Sequence, residues 1–130
     1  MEKNIKKIVS AYLRKALKEL ASAKVLFEKN FYDQAISCCY YCVFNAAKAA
    51  LESIAVSTSS HKQTGIEFNK HFVKANKANE PLGEILKELF KDRNFADYDV
   101  LWDSEKEETQ LAIKNATHFL SSIEKLLDKK

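Results

Sequence analysis

Residues 35–47 read AISCCYYCVFNAA, a run with no charged side chain in a chain whose residues are 30% Asp, Glu, Lys or Arg. At helical spacing, the apolar positions of this run cover nearly every face. A helix that is apolar all round has to be surrounded by others. The segment from about Tyr32 to Val56 is therefore expected to be the central member of a helical bundle. Its small residues, among them Ser37, Cys39, Ala46, Ala47 and Ala50, let neighbouring helices approach closely. Tyr40 and Tyr41 carry hydroxyls that need partners if they are buried. Adjacent helical positions point about 100° apart, so at most one of the two is expected to face any given pocket.

The flanking sequence agrees with a helical chain. Two glycines and one proline in 130 residues are few for the turns of a sheet, whereas Ala, Leu, Lys and Glu are abundant. The length suits a single domain, residues 1–130, with one core. From Asn4 to about Lys29, Ile5, Ile8, Tyr12, Ala16, Leu20, Ala23 and Phe27 recur every three or four residues, giving an amphipathic helix that Asn30 ends. Asp33 then sits in the first turn of the central helix, where a negative charge meets the positive end of the dipole.

After the polar AVSTSS, Ser60 and Gln63 have capping-box spacing for a third helix, about His61 to Lys74. His61, Gly65, Phe68 and Phe72 share one of its faces, and Gly65 is read as permitting close packing. Pro81 suits the first turn of a fourth helix, about Pro81 to Asp92, with Leu82, Ile85, Leu86, Leu89 and Phe90 on its apolar side. KDRNFADYDVLWD, residues 91–103, is the least helix-like stretch and reads as a polar corner. Ser104 with Glu107 repeats the capping-box spacing. The last helix runs to about Leu127, with Leu111, Ala112, Ala116, Phe119, Leu120, Ile123 and Leu127 inward. The expected fold is all-α: an up-and-down helical bundle of four main helices plus a short additional helix.

A formal charge of +3, with lysines and glutamates interleaved as in RKALKEL, describes solvated helix faces and neither supports nor excludes RNA. No apolar run approaches the roughly 20 residues a membrane span needs. The basic N-terminus lacks the apolar core of a secretory signal, so a cytoplasmic protein is expected. Cys38, Cys39 and Cys42 lie inside the apolar run with no second ligand cluster, and they read as small core hydrophobes rather than as metal ligands. No metal or cofactor is expected.

Three polar features could carry chemistry. Arg93 stands with Asn94, Asp97, Tyr98 and Asp99. A guanidinium offers a planar fork of donors to a phosphate, but an aspartate could equally pair with it and lock the corner. His61 heads the third helix and has the pKa range for proton transfer, although a lone histidine more often caps or solvates. Tyr41, or its neighbour, could place a phenol beside a ligand.

The segments ALKELASAKVLFEKNFYDQAIS, CCYYCVFNAAKAALES, SSHKQTGIEFNKHFVK and LGEILKELFKDRNFADYD, in that order, cover most of the chain. Together they resemble the short prokaryotic HEPN-domain family. The most specific parts are Tyr40-Tyr41-x-x-Phe44-x-Ala46-Ala47-Lys48-Ala49 and Arg93-x-x-Ala96-Asp97-Tyr98. The resemblance implies a helical bundle that commonly forms a homodimer. It also implies a partnership with a small nucleotidyltransferase, as a toxin–antitoxin-like pair.

Many members are metal-independent ribonucleases, with an arginine, a polar residue, and a histidine four to six residues after the arginine. Here Arg93 and Asn94 match, but the window continues Phe-Ala-Asp-Tyr-Asp-Val without a histidine. Two roles then compete with a purely structural homodimer. One is binding of nucleotide or RNA phosphate around Arg93, with Tyr41, Asp97, Tyr98 and Asp99. The other is a ribonuclease in which His61, brought in by packing, moves the proton. The resemblance further suggests Tyr98 as an acceptor of a nucleotide from the transferase.

Overall fold

The uncharged run lies within α2 (Tyr32–Ser53) of a computed structural model that describes residues 2–128. Around it stand α1 (Lys3–Glu28), α3 (His61–Phe68), α4 (Glu80–Tyr98) and α5 (Lys106–Asp128), and α2 packs against all four. No strand occurs among the described residues. The architecture is the up-and-down bundle of four main helices and one short one. Ala35, Cys39, Cys42, Val43, Ala46, Ala47, Ala49 and Ala50 are sealed from solvent. Small side chains here let α1 and α5 lie close on either side.

Helix ends follow local chemistry. Asn30 takes a left-handed φ of 66° after α1, a conformation asparagine tolerates. Ser60 caps α3: its Oγ accepts from the Gln63 amide at 3.0 Å, while Gln63 Oε1 accepts from the Ser59 amide at 3.1 Å. The second cap falls one residue later than the spacing of Ser104 and Glu107 suggests. The Glu105 amide donates to Glu108 Oε1 at 2.6 Å. Ser104 is taken by other partners, since its Oγ accepts from Trp102 Nε1 and its amide donates to Asp33 Oδ1.

Other boundaries and faces also move. α2 stops at Ser53, three residues before Val56. The third helix continues past Phe68 as a π turn, Asn69–Val73. α4 runs through the supposed corner to Tyr98, because Leu82, Leu86, Leu89 and Arg93 continue one buried stripe at three- and four-residue steps. The true connection is residues 99–105. On α5, Leu111 faces outward at 55% exposure, and Thr109 and Ala112 hold the inward positions beside it. On α1, Val9 rather than Ile8 turns inward. Cys39 and Cys42 lie in the core and Cys38 packs against it. Burial is the main cause raising the Cys42 thiol to about 12 and, with Glu19 beside it, the Cys38 thiol to about 11.

The close approach expected at Gly65 occurs instead at Gly83, where a Cβ would stand 3.0 Å from Val73 Cγ2. A Cβ at Gly65 would meet nothing within 4 Å. Gly65→Ala should therefore raise stability by about 0.5–1 kcal/mol through helix propensity alone, read as a higher urea midpoint. Phe119, fully buried with its ring 5.4 Å from that of Phe68, joins α5 to α3. Phe119→Ala should cost about 3–5 kcal/mol in the same unfolding measurement.

Candidate functional site

Arg93 is 5% exposed, an unusual position for a cation that cannot shed its proton. It is cradled by aromatic rings from two helices. Its Cζ lies 5.2 Å from the ring centre of Tyr40 and 5.6 Å from those of Tyr41, Phe90 and Tyr98. Ring faces attract a guanidinium, but they do not satisfy its N–H groups. Nη1 donates to the Tyr98 hydroxyl at 3.3 Å, and Asp97 Oδ2 lies 3.7 Å from the same nitrogen. Nε is buried without a hydrogen-bond partner.

The Arg93–Asp97 pair is too long for a hydrogen bond and links residues of one helix, so it does not lock a corner. Asp97 is committed elsewhere: its Oδ1 accepts from Ser37 Oγ, tying α4 to α2. Asp99 lies outside the cradle, and its Oδ1 accepts from the Leu101 amide in the turn that follows α4. Asn94 is half-buried, one residue and about 100° round the helix from Arg93. Its side chain makes no hydrogen bond among the described residues.

Both tyrosines border Arg93, contrary to the expectation that only one could face a pocket. The site is a seam between α2 and α4, and two neighbouring rings, 5.2 Å apart and edge-on, line it together. Tyr40, the buried member, has the more specific role. Its hydroxyl lies 2.7 Å from Nδ1 of His61 at the head of α3. The phenol's pKa is raised, chiefly by burial, so it keeps its proton. Donation to an unprotonated Nδ1 assigns the ring proton of His61 to Nε2.

Packing thus brings His61 and Arg93 to opposite ends of one phenol, although 32 positions separate them in the numbering. Phe44 stacks near the imidazole, with ring centres 4.5 Å apart. Sequence reasoning set Tyr40 aside in favour of Tyr41 and did not weigh Phe90. The available signal was the need of a buried Tyr40 hydroxyl for a partner.

The His61 pKa is held below its ordinary value by partial burial first, then by the positive charges of Arg93 and Lys48. The unfolded chain accordingly binds the proton more readily than the native one. Between about pH 6.5 and the lower native value, stability rises with pH and is lost as pH falls. His61 should titrate below 6.5 by NMR, and Arg93→Ala should move that titration upward. An unchanged midpoint would show that the two charges do not interact.

No helix among the described residues is long and apolar enough to cross a membrane. Comparison with known proteins adds the wider frame. A UPF0332 protein of Thermotoga maritima is 34% identical over 122 residues, covering 94% of this chain and 92% of that one. Two Methanocaldococcus jannaschii proteins named as putative toxins, MJ0142 and MJ0605, are 32% and 31% identical over 127 residues. Each match spans 98% of this chain, with 86% and 94% of the respective relatives. The HEPN domain model matches residues 9–126, and with that coverage the chain belongs to the HEPN-domain family.

Proposed function

We propose that this single-domain chain is a toxin-like HEPN protein that acts inside the cell and binds a phosphate of RNA or nucleotide at Arg93. The toxin names of the two archaeal relatives support the setting. The observation that carries the binding role is the guanidinium itself, buried yet with Nε unpartnered and no carboxylate within hydrogen-bond range. Burying a cation is costly unless it is paired, and a phosphate oxygen supplies what Asp97 does not. Tyr98 covers the cradle but is 76% exposed, so its hydroxyl is the contact an entering anion displaces.

A second role is favoured by the His61–Tyr40 hydrogen bond. In a ribonuclease, Arg93 would bind the scissile phosphate and stabilise charge in the transition state, while His61 moved the proton that the motif's missing histidine would otherwise carry. Asn94 matches the motif's polar residue, and Asp97 would orient the arginine.

The partner roles rest on the segment just after the site. Phe95, Tyr98, Val100 and Leu101 are exposed together, the last two at 95% and 91%. Such a patch suits a homodimer or docking of a small nucleotidyltransferase. In that pair, Tyr98 would be the hydroxyl that accepts a nucleotide.

Binding of single-stranded RNA across a salt series tests the proposal. Arg93→Ala should weaken binding and lower the salt slope by about one, the signature of one lost phosphate contact. Equal affinity and equal slope in the two proteins would overturn the phosphate role. Added to the same RNA, the wild type and the Arg93→Ala and His61→Ala variants separate the two roles. Cleavage by the wild type alone marks a ribonuclease.

A further inference from the structure

Both glycines of this chain line one cavity, a groove of about 710 Å³ between α3, the π turn and α4. Both also lie inside helices, where glycine is unfavourable relative to alanine. Packing accounts for Gly83, whose missing Cβ makes room for Val73. Packing does not account for Gly65. A side chain there would project into open space, so its absence keeps the groove clear without serving any contact of the fold. The volume is within the range of small-molecule sites, roughly 300–1,000 Å³. The opposite wall contains a π turn, a feature frequent at functional positions.

The chemistry of the groove changes from end to end. Tyr40, Phe44, His61 and Phe90 form an aromatic end, and Phe90 and Tyr40 are also the rings beneath Arg93. Lys62 and Lys87 stand on the walls from α3 and α4. At the far end lie Asn69 and Glu84, an amide and a carboxylate that can meet the edge of a heterocycle. Along α4 the sequence of side chains is Glu84, Lys87, Phe90, Arg93, running from acid to base. At the helical rise, Glu84 to Arg93 spans about 14 Å, enough for a mononucleotide laid lengthwise with its charged end at Arg93. Ring faces accept any base by stacking, and the charge gradient fixes which end is which.

We infer that the α3–α4 groove is the base-binding half of the site, taking the planar heterocycle of the nucleotide whose phosphate meets Arg93. The inference deepens the phosphate-binding role and rests on it for the ligand's orientation. It makes an unpaired nucleotide the recognised unit, free or in single-stranded RNA, because a base held in a helix cannot enter a groove between two α-helices.

Selective ¹⁵N labelling of glycine gives the test, since only two amide peaks arise and both report on the groove. The full chain is titrated with adenosine and guanosine 5′-monophosphates, and separately with ribose 5-phosphate, which carries the phosphate without a base. Both peaks should move with the nucleotides, and much less with ribose 5-phosphate. Gly65→Leu fills the groove. It should lose roughly tenfold or more of nucleotide affinity and leave ribose 5-phosphate affinity unchanged.

Nucleotide binding with unmoved glycine peaks, or wild-type nucleotide affinity in a folded Gly65→Leu, overturns the groove assignment and leaves the Arg93 role standing. Arg93→Ala should weaken both ligands. Unchanged ribose 5-phosphate affinity in that variant overturns the phosphate role instead, while a nucleotide loss confined to Gly65→Leu still supports the groove. If none of the three compounds binds the wild type, both assignments fall.

Discussion

The hydroxyl of Tyr40 lies on a helix enclosed on all sides, where no water is at hand to bond it, and much of the bundle's polar architecture follows from that. A buried phenol without a partner costs more than its ring gains by packing tightly, so the fold has to bring a partner in. His61 is that partner, delivered from the head of α3. The preceding loop is shaped to hold it there. Lys48 on α2 donates to the Thr58 carbonyl at 2.8 Å, and the Thr58 and Thr64 hydroxyls meet at 2.6 Å. The Ser60 cap then starts α3 at the residue that must face α2. One buried hydroxyl thereby sets the position of a short helix that has little apolar surface of its own.

The same ring explains how Arg93 survives in the interior. Tyr40, Tyr41, Phe90 and Tyr98 give the guanidinium polarisable faces in place of water. A carboxylate would compensate the charge better, and Asp97 is one turn away. Its Oδ1 is drawn instead to Ser37 on α2, which leaves Oδ2 at 3.7 Å from the arginine. That division of Asp97 separates the two roles weighed for this stretch. An aspartate fully given to Arg93 would have made the arrangement a closed structural pair. Here the cation is oriented, shielded and incompletely neutralised, which is the condition of an anion site.

Much of the fold was legible because periodicity reports burial directly. The uncharged run announces the central helix, and the steps of α1 and α5 announce their inner faces, apart from outward-turning Ile8 and Leu111. The site was less legible for a physical reason. Composition suggested a loop at residues 91–98, but a buried arginine can occupy a core position in a helical stripe as a leucine does, and the stripe therefore continued unseen. The His61–Tyr40 contact joins residues 21 apart through a loop whose path depends on side-chain hydrogen bonds, and no local pattern encodes that. Gly65 was legible as unusual but not in its sense. A glycine that admits a neighbour and one that keeps a space empty look alike until the neighbouring helix is in place.

His61 connects the two halves of the site in a way that geometry alone does not convey. Its imidazole is a wall of the groove and the hydrogen-bond partner of the phenol beneath Arg93. Its proton affinity is lowered by burial and by the charges of Arg93 and Lys48. An anion that settles against Arg93 offsets one of those charges and so raises the tendency of His61 to take up a proton. By linkage, a protonated His61 holds the anion more tightly. The lowered pKa is thus a property of the empty site. A phosphate ligand would bring the imidazole towards the range where it can both accept and return a proton near neutral pH, with its position already fixed by Tyr40. In this protein the missing motif histidine and the available one differ less in chemistry than in the helix that carries them.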